Sequence, residues 1–290
     1  MYSAKKYNTI LYNKEIQRKL GLYLIDFKRF SGRYKVEENG ETKEYNSYNN
    51  NLIFKGQYSN GKRNGNGKEY NEEGNLIFEG EYLDGKKWKG NAKKYDEDTG
   101  KLILEFEYLK GKIEGKVKEY DRYNGDLLFS GYYIDGKRSG QGTEYKSILY
   151  SQSDNRYSQL KSKLITIFSG EYLNGERKEG KENDYEETLI YEGEYLNGKK
   201  NGKGKIYFSN KRLKYEGEFM NGIKQGKGIE YDINNHSKYI GEYLNGKKNG
   251  HGKEYSQYFD YKIEEYNEEY KLIFEGEYLN NYRLRSKGIW

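Results

Sequence analysis

Residues 191–207 read YEGEYLNGKKNGKGKIY, and residues 239–255 repeat them almost letter for letter as YIGEYLNGKKNGHGKEY. Residues 215–231, YEGEFMNGIKQGKGIEY, are a third copy. The shared pattern is aromatic-x-Gly-x-aromatic, a two-residue step to Asn-Gly, then Gly-x-Gly-x-x-Tyr. Self-similarity at a fixed period is the signature of a repeat architecture, in which each unit buries its apolar face against the next.

The unit can be read physically. In residues 76–83, LIFEGEYL, the side chains of Leu76, Phe78, Gly80 and Tyr82 alternate with Ile77, Glu79, Glu81 and Leu83, the two-residue period of a strand with unlike faces. Asp84-Gly85 follows, and the same place elsewhere holds Asn60-Gly61, Asn174-Gly175, Asn197-Gly198, Asn221-Gly222 or Asn245-Gly246. These dipeptides are the strongest short-range hairpin signal, because both central residues of a type I′ turn take positive φ. A return strand such as residues 65–70, GNGKEY, completes a β-hairpin. The glycine inside the outgoing strand predicts a slot between two aromatics, over which a ring from the adjacent hairpin lies. Gly202 and Gly204 on a return strand are expected to serve the same close approach.

Outward from these copies, the marker glycine recurs at Gly32, Gly56, Gly80, then Phe106 in its place, then Gly131, Gly170, Gly193, Gly217, Gly241 and Gly276. The steps run from 23 to 26 except for two, of 39 and 35, which are a unit plus an insertion. Residues 146–163 are Ser-rich and polar and read as a surface loop; residues 256–270 read as a degenerate hairpin or a loop. Ala92 and Glu182 stand where the second glycine of Gly-x-Gly is expected. The expected organisation is an N-terminal cap over 1–29, with a helix over 9–20 and then a strand, hairpin repeats over 30–281, and a C-terminal cap over 282–290. The fold class is all-β: an elongated, single-layer twisted sheet of about ten successive antiparallel hairpins.

Composition bounds what such a chain does. Of 290 residues, 36 are Gly and 35 Tyr, and there is no Pro or Cys. Gly exceeds its usual share of about 7%. Without Cys there are no disulfides, thiol nucleophiles or Cys-based metal sites. The net charge of +6 comes from 52 basic and 46 acidic side chains, interspersed rather than gathered into a patch, so nucleic acid is not an expected partner. Residues 1–16 hold no apolar run of signal-peptide length and no stretch approaches a membrane span, so the expected place is the cytoplasm or the cytosolic face of a membrane.

The repeated unit resembles the MORN repeat (membrane occupation and recognition nexus), from about residue 30 to 281. The resemblance implies an elongated β structure that serves as a non-enzymatic scaffold or adaptor for a protein partner. Phospholipid association is ascribed to the family, and bacterial-type variant repeats are sometimes classed as neutralising partners of toxins. These remain as second and third expectations, and a homodimer stays open.

Residue by residue, the chemistry on offer is thin. Residues 61–68, GKRNGNGK, lack the spacing, the Ser/Thr and the strand–loop–helix context of a phosphate loop. Carboxylate pairs such as Glu79/Glu81 and Glu192/Glu194 repeat identically and share one strand face, so nothing pushes their pKa values apart as acid–base work requires. They read as a solvated face paired with cross-strand Lys. His236 and His251 have no metal-ligand partners. No catalytic, cofactor or metal residue is assigned. Two candidate interaction surfaces are: a row of aromatics at Tyr172, Tyr195, Phe219, Tyr243 and Tyr278, for which core is the plainer reading, and lipid-facing turns at Lys86, Lys87, Lys199, Lys200, Lys247 and Lys248.

Overall fold

The computed structural model describes residues 32–154, 157–184, 186, 188–234, 236–260 and 265–286. Every regular element among them is a strand, so the chain is all-β as the repeat implies. The expected helix over 9–20 and the strand after it lie outside the described residues.

The chain divides into two units, Met1–Gly115 and Lys116–Trp290. The first contains β1 (Arg33–Glu38), β2 (Glu41–Asn46), β3 (Leu52–Ser59), β4 (Lys62–Tyr70), β5 (Leu76–Leu83), β6 (Lys86–Tyr95) and β7 (Leu102–Leu109). The unit boundary falls inside β8 (Lys112–Tyr120). The second contains β9 (Leu127–Ile134), β10 (Lys137–Arg138), β11 (Gly140–Asp154), β12 (Tyr157–Leu173), β13 (Glu176–Asn183), β14 (Leu189–Leu196) and β15 (Lys199–Tyr207). It continues through β16 (Leu213–Met220), β17 (Ile223–Tyr231), β18 (Ser237–Leu244), β19 (Lys247–Asp260), β20 (Glu265–Leu279) and β21 (Tyr282–Ser286). From β1 to β7 each strand pairs antiparallel with the next. Along the second unit β10 and β11 both pair with β9, and from β11 to β21 each strand pairs antiparallel with the next.

The Asn-Gly dipeptides make the turns their chemistry predicts. Asn197 and Gly198 take φ of 51° and 70°, and Asn281, standing in for glycine, takes 74°. Several turns are also tied to the neighbouring hairpin: the Gly222 and Gly246 amides donate to the Lys200 and Lys224 carbonyls of the preceding hairpin, at 2.8 and 2.9 Å. In the stretch 146–163, expected as a loop, residues 146–154 and 157–163 instead lengthen β11 and β12 into one long hairpin whose paired register runs to Asp154↔Tyr157. Residues 256–260 and 265–270 likewise extend β19 and β20 as a paired hairpin.

Glycines face glycines across almost every strand pair. Gly193 opposes both Gly180 and Gly204, Gly204 opposes Gly217, and the row continues through Gly228, Gly241 and Gly252 to Gly276. The bare strip is roofed by the aromatic two residues before each marker glycine. A Cβ on Gly204 would stand 2.7 Å from the Tyr191 ring, and one on Gly217 would stand 2.6 Å from the Lys227 carbonyl oxygen. The ring over the slot therefore comes from the same strand, not from the adjacent hairpin. The neighbour contributes the second ring, edge-on. Phe168, Tyr191, Tyr215 and Tyr239 each meet their own strand's aromatic four residues on and the corresponding aromatic of the next hairpin. All eight contacts are T-shaped with centroids 5.1–5.6 Å apart. Pairs of this geometry contribute about 0.5–1.5 kcal/mol each beyond area burial. The first unit repeats the arrangement through Phe54, Tyr82, Phe78 and Tyr108.

The two glycines of Gly-x-Gly have separate jobs, against the expectation of a shared one. Gly204 seats the ring. Gly202, at φ 67°, lies in a bulge where Lys203 and its two predecessors oppose Glu194 alone. Two further assignments change. Gly180, not position 182, pairs with Gly170, so Glu182 replaces no glycine. Gly32 precedes β1, and Thr42 stands opposite Gly56 at the start of the row. Phe106, in a marker position, is accommodated because Ala92 opposes it and also opposes Phe78; the three pack in one cluster with Tyr82 and Tyr108.

Gly217→Ala should lower stability by about 2–3 kcal/mol, because its methyl would meet the Lys227 and Gly228 backbone and the Tyr215 hydroxyl. Lys203→Ala, on the exposed side of the neighbouring strand, should change it by no more than about 0.5 kcal/mol. Urea denaturation of the two variants checks the difference, and equal small losses would remove the packing account.

Candidate interaction surface

The aromatic row is core. Tyr172, Tyr195, Phe219, Tyr243 and Tyr278 are between 1% and 8% exposed, so they present no binding face. The hydroxyls of Tyr172, Tyr195 and Tyr243 have an internal task. Tyr82 donates to Glu69, Tyr172 to Glu144, Tyr195 to Glu182 and Tyr243 to Glu230, at 2.7–3.2 Å, each acceptor lying on the return strand of the preceding hairpin. Tyr58 and Tyr133 do the same to Glu44 and Glu119.

A cation five residues after each of these tyrosines closes the arrangement. Arg63, Lys87, Arg177 and Lys200 bond the same Glu44, Glu69, Glu144 and Glu182. Each also lies 4.3–5.3 Å above the ring that covers its own glycine slot, Phe54, Phe78, Phe168 and Tyr191 respectively. Lys248 lies 4.4 Å over Tyr239 and bonds Glu254. Hence three of the six lysines expected in lipid-facing turns, Lys87, Lys200 and Lys248, turn inward and are committed to ring and carboxylate. Their neighbours Lys86, Lys199 and Lys247 are exposed. Strand alternation accounts for the split, since consecutive residues point to opposite faces.

One hairpin lacks both polar partners. The carboxylate position between Glu182 and Glu230 is Ile206, and the aromatic that would donate to it is Phe219. Lys224, left without the earlier carboxylate, bonds Glu230 on its own strand.

The other face of the sheet is also self-satisfied. Lys68 pairs with Glu79, Lys205 with Glu216 and Lys253 with Glu275, at 2.8–3.4 Å. The second carboxylate of each pair behaves differently. Glu194 folds over Gly202 and accepts from the Lys203 amide at 3.1 Å, as Gln57 does from Asn66 beside Gly65. Thus residues 61–68 are a turn glycine, a bulge glycine and a ring seat, and the Asn66 amide is already bonded. His251 sits between Glu275 and Glu277, at 3.3 and 3.7 Å. Among the described residues no group of His, Cys, Asp and Glu is placed to hold a metal ion.

The hairpin tips are left. From β5 onward, the last residue of each outgoing strand is a solvent-exposed apolar side chain on the open face. In the second unit these are Ile134, Leu173, Leu196, Met220, Leu244 and Leu279, each 46–56% exposed. The residue paired across each tip is Lys137, Glu176, Lys199, Ile223, Lys247 and Tyr282 in turn. Leu83 and Lys86 form such a pair in the first unit. Sequence reading places lysines at the tips but passes over the aliphatics; their signal is an apolar residue immediately before the turn dipeptide, as in Leu83-Asp84-Gly85 and Leu196-Asn197-Gly198.

Protonation couples to this framework at both ends of the pH scale. Burial pushes the Glu69 carboxyl up, but Lys87 and Arg63 outweigh it and hold it below 4.5, and Glu44, Glu144 and Glu254 are lowered by the same balance. Burial, reinforced by Glu44 and Glu119, pushes the Tyr58 and Tyr133 phenols up to about 12 from 10.0. A lowered carboxylate stabilises the fold above its unfolded value and loses that contribution as pH falls. A raised phenol stabilises it below 10 and loses that as pH rises. The thermal midpoint should therefore fall below about pH 4.5 and again between about pH 10 and 12, which a calorimetric pH series reads directly. The gap at Ile206 gives a sharper test. Ile206→Glu and Phe219→Tyr should each cost about 1–2 kcal/mol alone, and the double variant should recover about 1 kcal/mol of their sum in a denaturation cycle.

Comparison with known proteins agrees with this geometry. Five segments, residues 54–75, 129–147, 191–211, 215–237 and 239–257, match the MORN repeat family model. Each begins at an aromatic that covers a glycine slot: Phe54, Phe129, Tyr191, Tyr215 or Tyr239. No curated protein matches the chain. Among solved structures, one titled "Crystal Structure of TarM" is similar over 46% of this chain and 26% of that one, at 13% identity and a TM-score of 0.23, and carries no argument about function. This chain spans about a quarter of its length. The protein thus carries MORN repeats, five of them recognised between residues 54 and 257.

Proposed function

We propose that the chain is a non-enzymatic scaffold that holds a protein partner along its hairpin tips. The observation that carries this reading is the rank of exposed aliphatics, Leu173, Leu196, Met220, Leu244 and Leu279, one at the end of each successive outgoing strand. The tyrosines and half of the turn lysines serve the fold, and the Glu–Lys pairs of the open face satisfy one another. The tips combine exposed apolar area with the fixed spacing of successive hairpins. Exposed apolar residues rimmed by polar ones mark sites of association.

A second reading, attachment to an anionic membrane surface, is favoured by Lys86, Lys199 and Lys247 beside Leu83, Leu196 and Leu244. MORN repeats are generally modules for protein or membrane interaction, and among the described residues no helix is long and apolar enough to cross a bilayer. The two readings separate by salt: vesicle binding through lysines weakens steeply with ionic strength, whereas apolar docking does not.

Photo-crosslinking side chains placed at 196, 220 and 244 should trap one common protein species, and the same group placed at Lys43 in the first unit should not. Leu196→Glu with Leu244→Glu should abolish trapping while leaving the thermal midpoint within about 2 °C, since both sites are exposed. Trapping that is equal at all positions, or that survives the double substitution, would overturn the proposal. Sedimentation with acidic vesicles at low and high salt decides the second reading.

A further inference from the structure

The three central tips of the second unit differ from one another in an ordered way. The middle tip presents two aliphatics, Met220 and Ile223, paired across the turn. The tips on either side present one aliphatic and one lysine each, Leu196 with Lys199 and Leu244 with Lys247. Neither lysine has an ion-pair partner among the described residues. The surface therefore reads basic, apolar, basic along a line perpendicular to the strands. Gly246 packs against Ile223, and backbone hydrogen bonds join successive turns, so the spacing between tips is fixed rather than adjustable.

That spacing selects the shape of an occupant. Two antiparallel strands separate equivalent tips by about 9.6 Å. On an α-helix, residues seven apart lie on one face and are about 10.5 Å apart along the axis. Over two steps the mismatch is about 2 Å, within the reach of leucine and methionine side chains. An extended chain returns to the same face only every second residue, at about 6.6 or 13.2 Å, and so falls out of step at once. Nor can it add as a strand here, because β15 to β18 are already paired on both edges. A flat anionic membrane fits less well, since the middle tip has no cation and the next tip, Leu173, faces Glu176.

From this we infer that the tips at Leu196, Met220/Ile223 and Leu244 form a seat for one amphipathic α-helix of a partner protein. The helix lies across the hairpins, with apolar residues at a seven-residue interval and carboxylates flanking the first and third. The inference rests on the scaffold reading above and specifies its partner.

The test uses the full chain and synthetic 21-residue peptides. The matched peptide carries Leu at positions 1, 8 and 15 with Glu beside the first and last. A second has the same composition with the Leu residues at 1, 6 and 11, and a third is the matched peptide with a central Pro. Fluorescence anisotropy should show the matched peptide binding at least tenfold tighter than either control, with a gain of helical circular dichroism on binding. Met220→Glu should weaken it at least tenfold. Lys199→Glu with Lys247→Glu should weaken it likewise and should restore binding to a peptide whose flanking Glu residues are Lys. That charge exchange keeps the test valid whatever happens to a single variant. Equal binding of the respaced or Pro peptide, binding without helix gain, or no binding at millimolar peptide would each overturn the inference. Binding of acidic vesicles that the same lysine substitutions abolish, without binding of the matched peptide, would overturn it in favour of a membrane. Failure here with tip-specific crosslinking intact removes only the helix; loss of tip-specific crosslinking removes the scaffold reading as well.

Discussion

Backbone meets backbone at the centre of most of the hairpins, and the rest of the structure follows from that approach. Gly193 and Gly204 oppose one another with no side chain between them and the layer above. Tyr191 therefore lies on bare main chain rather than beside it. A ring laid flat on one strand pair presents its edge and perimeter to the neighbours, and so Tyr195 and Phe219 reach it from opposite sides in T-shaped contacts. A lone two-stranded ribbon has no such second surface and is marginal in water. Here each ribbon borrows one from the next. The glycine that weakens a strand in isolation is what permits the stack.

Charge is then fitted around the rings rather than against them. A chain that is 34% charged would not be expected to keep water from a single layer of aromatics. Arg177 illustrates the solution: its guanidinium lies 4.3 Å over Phe168 while bonding Glu144, which also accepts the Tyr172 hydroxyl at 2.7 Å. The carboxylate belongs to one hairpin and its two partners to the next, so the polar network ties units together just as the rings do. Buried polar groups are costly unless fully partnered. Position 206 obeys that rule by omission. Where the carboxylate is replaced by Ile, the hydroxyl that would need it is missing too, as Phe219.

How much of this could be read in the sequence depends on how local each cause is. Turns at Asn197-Gly198 and the outgoing strand 189–196 were legible because dihedral preference and two-residue alternation act within a few residues. The ring seat was half legible: the need for a glycine slot showed, but which ring fills it is decided by register across the pair. The bulge at Gly202 and the inward turn of Lys200 were not legible. Both depend on where β15 stands against β14, which a single strand does not state. Residues 146–163 misled for a related reason, since a polar, Ser-rich stretch pairs with itself as well as it makes a loop. Glu69 and its counterparts were overlooked because one Glu among many looks solvated until its Tyr and Arg partners arrive from other hairpins.

The same locality explains why any binding role falls to the tips. A repeat that closes its ring face with its own cations, and its open face with its own Lys–Glu pairs, has spent most of its surface on cohesion. At the turn the strands end, and no further pair is there to cover the last outgoing side chain. Leu196, Met220 and Leu244 are exposed for that geometric reason, and the period of the repeat then lines them up. An aliphatic at one tip would be an ordinary exposed residue. A rank of them held by turn-to-turn hydrogen bonds is a ruler, and a partner recognises it by matching its interval as much as its chemistry.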